Sequence, residues 1–127
     1  MQYFDHEKLD VYKIAFKFVM ATEAIINQFP KGRAYLIDQL QRASSSVLLN
    51  IAEGAGEFSE NEKIRFYRMA RRSATECSSI LDICKGLNFL EEESYLAIRG
   101  LLLRIVAMLT KLVRIPSTRQ MEKQTIA

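Results

Sequence analysis

From Lys63 to Arg72 the chain carries five positive charges and no acid. Arg65, Arg68 and Arg72 fall on one face of a helix, with Lys63 preceding them and Arg71 at the edge of that face. Guanidinium groups in such a row suit phosphate oxygens, which they hold through charge-assisted and often bidentate hydrogen bonds. Arg104, Lys111 and Arg114 make a second basic row further along. The chemistry that follows is contact with RNA or DNA backbone, with little selectivity for sequence. A plainer account is a solvated helix face. Arg72 would then pair with Glu76 one turn on, and Lys111 and Arg114 would sit well at a helix C-terminus. Net charge is only +3, from 18 basic and 15 acidic residues, so charge alone does not decide between them. Phe66 and Tyr67 are expected to pack rather than to stack on bases.

Other reactive groups are sparse. His6 is the only imidazole, so the run Ser44, Ser45, Ser46 has no base to activate it, and small side chains at a close helix contact explain it better. Glu53 and Glu76 could form a carboxylate pair in space, although a hydrogen-bonding role fits them better. Cys77 and Cys84 are seven apart on one helix face and read as buried, reduced thiols. Two Cys and one His without short ligand spacing do not make a zinc site, and no metal is expected. Gly54-Ala55-Gly56 reads as a helix break, not a phosphate loop. No catalytic constellation, cofactor or small-molecule substrate is evident, and the chain is expected not to be an enzyme.

The elements that must carry these residues are helices. The chain has 127 residues with only five Gly and two Pro, too few for an all-β domain rich in tight turns. Asp5 is placed to cap a first helix running to about Gln28, before Pro30. A second runs from Arg33 or Ala34 to Glu53. Ser59 and Glu62 form a capping box for a third, expected to end at Lys85 with Gly86 left-handed just beyond. Glu91, Glu92 and Glu93 open a fourth, which runs to about Ile115. Three of the four show one apolar stripe: Leu36, Leu40, Ala43, Val47 and Ile51; Tyr67, Ala70, Ala74, Cys77, Leu81 and Cys84; Tyr95, Ile98, Leu102, Ile105, Leu109 and Leu112. The pattern predicts an all-α, antiparallel, up-down-up-down four-helix bundle over residues 1–115, with a polar, frayed tail at 116–127.

The first helix is apolar over more than half its circumference. Leu9, Tyr12, Phe16, Val19 and Ile26 form one stripe, expected to face the core. Val11, Ile14, Phe18, Ala21 and Ile25 form another, with Val11, Ile14, Phe18 and Ile25 as a candidate interface between copies. A wide core using both stripes is the other account. Gly100, in the middle of the fourth helix, implies a close backbone approach within or between subunits. The N-terminus lacks the apolar core of a secretory signal, and no segment is long and apolar enough to span a bilayer, so a bacterial-type cytoplasmic location is expected.

Leu9-Asp10-Val11-Tyr12, Phe29-Pro30, Gln39-Leu40-Gln41-Arg42-Ala43 and above all Asn50-Ile51-Ala52-Glu53-Gly54-Ala55-Gly56 resemble the four-helix-bundle proteins encoded in intervening sequences of bacterial 23S ribosomal RNA genes. Phe66 to Ala70 and Ser73-Ala74-Thr75-Glu76 are similar to that family's third helix. The resemblance covers about Phe4 to Ile115. It implies a ring-like homopentamer, no enzymatic activity and an association with nucleic acid; a related branch partners the reverse transcriptases of diversity-generating retroelements. Glu57 and Gln41 stand where the family often has a basic residue, and Arg71 and Arg72 where it more often has a small one. Two functions of different class remain. One is an oligomeric assembly that binds nucleic acid through its basic faces. The other is a scaffold that binds a protein partner, such as a polymerase, with no nucleic-acid role.

Overall fold

The computed structural model describes residues 2–114. The expected tail at 116–127 lies outside the described residues. A 3-10 turn, Asp5–Lys8, precedes four helices: α1 Asp10–Ile26, α2 Ala34–Ala55, α3 Glu60–Gly86 and α4 Glu92–Arg114. Asp5 therefore does not cap α1. Leu9 is extended, with φ −79° and ψ 130°, and α1 begins after it.

Consecutive helices pack on one another, and α1 closes the bundle against α4. On α2 and α3, Ser46 meets Ser73 and Gly54 lies against Tyr67. Between α3 and α4, Arg71 reaches Thr110 and Asp82 accepts from Tyr95. In both pairings one number rises as the other falls, so these neighbours run in opposite directions.

The stripes expected on α2, α3 and α4 all turn inward. Leu36, Leu40, Val47, Ile51, Leu81, Ile105 and Leu109 are fully enclosed, and Tyr95 and Leu112 close the ends of the α4 seam. The phase of α1 differs from expectation. Val11, Ala15, Phe18, Val19 and Ile26 face the core, while Phe16 and Met20 face outward. Val11 and Phe18 are thus corrected as interface residues, because they are consumed by the subunit's own core. Ile14 and Ile25 are half-buried and pack against the same core.

The helix ends follow local chemistry. Ser59 caps α3 by accepting the Glu62 amide at 3.3 Å. The reciprocal half of the box does not form, since the Glu62 carboxylate is taken by Arg65. At the other end Gly86 remains helical, and the left-handed residue is Asn88, at φ 63°. The Phe89 amide bonds the Cys84 carbonyl at 2.9 Å and the Asn88 amide bonds that of Lys85 at 3.0 Å, a complete Schellman cap. Asn tolerates this geometry, so the chain runs two residues past the expected stop.

Candidate nucleic-acid interface

The basic residues of α3 are not equivalent. Lys63 turns back to the end of α2, where its ammonium donates to the Gly54 and Ala55 carbonyls at 3.0 and 3.1 Å. These carbonyls belong to the last turn of α2, where intrahelical donors run out and the Gly54 carbonyl otherwise accepts only from the Glu57 amide, at 3.2 Å. Arg65 is forked onto Glu62 at 2.8 and 3.0 Å and lies over the Phe66 ring at 4.6 Å. Its pKa is raised above the ordinary value, first by that hydrogen bond to Glu62 and then by its charge, with Glu57 and Glu53 adding to the field. Lys63 is therefore engaged in structure, and Arg65 sits in acidic surroundings. Neither points unopposed into solvent.

Arg68 and Arg72 remain on the outer face of α3, both exposed. Among the described residues the ion pairs are Arg65 with Glu62 and Lys85 with Glu92, so the expected Arg72–Glu76 pair does not form. Arg71 is half-buried and reaches across to the Thr110 hydroxyl at 3.5 Å. That contact brings the C-terminal half of α4 beside the N-terminal half of α3. Residues 63–75 hold five basic groups and residues 94–114 hold four, and neither stretch contains an acid. Arg104, Lys111 and Arg114 are exposed on α4. Arg99, which reading α3 and α4 separately does not single out, joins them. It lies on the rim of a cavity of about 140 Å³ between the two helices, lined also by Thr75, Ser78, Leu103 and Val106. The acid-free run of α4 was its only signal in the sequence.

The other reactive groups take structural positions. Ser46 and Ser73 hydroxyls are 2.8 Å apart, and the Asn50 amide donates to the Ser46 carbonyl and hydroxyl at 2.9 and 3.0 Å. The helices approach closely here, as the serine run led us to expect. Gly54 belongs to α2 rather than ending it, and a Cβ there would come 2.8 Å from Tyr67 Cε1. Gly54 and Ala55 thus join the end of α2 to α3, and Asn50 supports the Ser46–Ser73 contact from within α2. Glu53 lies in the field of Arg65, whereas Glu76 lines a cleft with Gln39, Arg42 and Ser46 about three turns along α3. The two carboxylates are not a pair. Cys77 and Cys84 are free and buried, and burial pushes the Cys77 thiol up to about 12. Among the described residues no three His, Cys, Asp or Glu side chains are grouped to hold a metal, and no helix is long and apolar enough to cross a membrane.

Residues 7–111 match the family model described as 23S rRNA-intervening sequence protein. The chain belongs to this family. A crystal structure of a protein of unknown function from the S23 ribosomal protein family of Bacteroides thetaiotaomicron has the same fold, with a TM-score of 0.77. It is 18% identical, and the alignment covers 83% of this chain and 99% of that one. No curated protein matches at a significant level. Membership in the 23S rRNA-intervening sequence protein family accounts for the four helices. In the Asn50–Gly56 block, Gly54 meets Tyr67 of α3 directly, and Asn50 holds Ser46, which in turn meets Ser73.

Proposed function

We propose that this family member is a non-enzymatic, self-associating bundle, ring-like and most simply pentameric, that binds nucleic-acid backbone along α3 and α4. The observation that carries this reading is the side-by-side placement of two acid-free basic stretches. Arg68, Arg72 and Arg114 are exposed cations on that side of the bundle, and Arg71 stands between the helices. Phosphates are the natural ligand of such a surface, and base edges are not, because no recognition element projects from it. Repetition around a ring would enlarge a modest field.

The test is binding to RNA and duplex DNA across a salt series. Each arginine that neutralises a phosphate contributes a slope of about 0.9 in log affinity against log salt on duplex DNA. Replacing Arg68, Arg72 and Arg114 together by Gln is expected to weaken both ligands and flatten the slope by up to about three units. A wild-type protein with no affinity at low salt overturns the reading.

A further inference from the structure

Phe58 is fully exposed in the loop between α2 and α3. An apolar residue just before a helix cap ordinarily packs on the residue four into the helix. Here that residue is Lys63, whose ammonium is turned to the α2 carbonyls, so Phe58 has no local partner. Four carboxylates accompany it: Glu53, Glu57, Glu60 and Glu62, with no base between 53 and 62. The loop is an aromatic knob in an acidic collar, offset in part by Lys63 and by Arg65, which is paired to Glu62.

The complementary surface is on the same molecule. The cavity between α3 and α4 has an apolar floor of Leu103 and Val106 and a cationic rim of Arg99, with Arg71 one turn before Thr75 on α3. Leu103 is 57% exposed, and its volume of about 140 Å³ makes the cavity large enough for a phenyl ring. Gly100 stands beside it with nothing within 4 Å of its Cβ position, so no contact within the subunit explains this glycine. The loop cannot reach its own cavity. From Ser59 to Thr75 the helix rises about 24 Å.

We propose that Phe58 and its acidic collar dock into the α3/α4 cavity of a second copy of this chain. This names the contact for the self-association proposed above and rests on that reading. The two surfaces differ, so the contact is head-to-tail, the type that closes into a ring when the rotation permits. The charges set which surfaces meet, and the ring in the cavity supplies apolar burial.

The test is mass in solution, by light scattering, of the full chain and two variants. Phe58→Ala removes the knob, and Leu103→Glu fills the cavity with a charge; both positions are exposed, so helicity is expected to stay at the wild-type level. Each variant alone is expected to run as a 14.6 kDa monomer, while wild type runs larger. Mixed in equal amounts, the variants have one intact pair of surfaces between them and are expected to give a dimer and nothing larger. Wild-type monomer overturns self-association itself. A wild-type oligomer whose mass both variants retain overturns only the contact, and so does a mixture that stays monomeric.

Discussion

Gly54 lies directly beneath the ring of Tyr67, and this contact sets how closely α2 and α3 approach. A methyl group on residue 54 would sit 2.8 Å from Tyr67 Cε1 and 3.1 Å from Phe66 Cβ. Tyr67 is itself buried, so the ring has little room to retreat. Gly54→Ala is expected to lower stability by about 1–3 kcal/mol, even though Ala is the better helix former. Urea unfolding checks it: a midpoint at or above wild type would show that the ring moves aside freely.

Phe16 and Phe18 lie two residues apart on α1 and have opposite surroundings. Phe18 is enclosed by the core, and Phe16 is about half exposed. Phe18→Ala is expected to cost about 3–5 kcal/mol, a large share of the stability of a domain this size. Phe16→Ala should cost well under 1 kcal/mol in the isolated subunit. Thermal melts of the two variants, followed by circular dichroism, read the difference directly; equal losses would contradict the observed phase of α1.

That pair also marks where the sequence is legible and where it is not. On α2, α3 and α4 apolar residues recur at three and four, polar residues fill the rest, and the buried face can be named in advance. On α1, Val11, Phe16, Phe18 and Met20 surround the helix, so periodicity leaves its phase open. Packing against α2 and α4 then decides it. The stop at Asn88 is a similar case, because Gly86 offers the usual signal and local hydrogen bonding extends past it. The basic residues were visible as a list, but their division was not. Lys63 looks like its neighbours until the last turn of α2 places two carbonyls before it, and Arg99 gains meaning only once Arg71 and Thr110 set the α3/α4 register.

The buried thiols make stability depend on alkaline pH. Burial raises the Cys77 pKa to about 12 in the folded chain, with Glu76 adding to the shift, and raises that of Cys84 as well. An unfolded thiol titrates near 8.5. Above that pH the folded state holds protons that the unfolded state releases, so stability is complete below about 8.5 and declines as pH rises toward 12. Unfolding midpoints measured from pH 8 to 10 should fall for wild type and fall less steeply for Cys77→Ala, whatever its absolute stability. In the native protein both thiols should resist alkylation at neutral pH, where the nucleophilic thiolate is scarce. Rapid modification of the folded chain would contradict this.

Lys63 and Arg68 should separate stability from binding. Lys63 caps α2 with two hydrogen bonds, while Arg68 is exposed and forms no ion pair among the described residues. Lys63→Met keeps length and helix propensity but removes the ammonium from the Gly54 and Ala55 carbonyls, leaving Gly54 with the Glu57 amide alone. The expected loss is about 1 kcal/mol, the ordinary net worth of such contacts at a partly solvated site. Because its charge is already directed at the protein, the variant should keep most of its affinity for nucleic acid once folded. Arg68→Gln should do the reverse, with an unchanged unfolding midpoint and a salt slope on duplex DNA lowered by about one. Measuring both quantities on both variants makes the comparison internal. If Lys63→Met lowers the salt slope as much as Arg68→Gln does, Lys63 leaves its carbonyls to meet phosphate, and the basic surface extends to the end of α2.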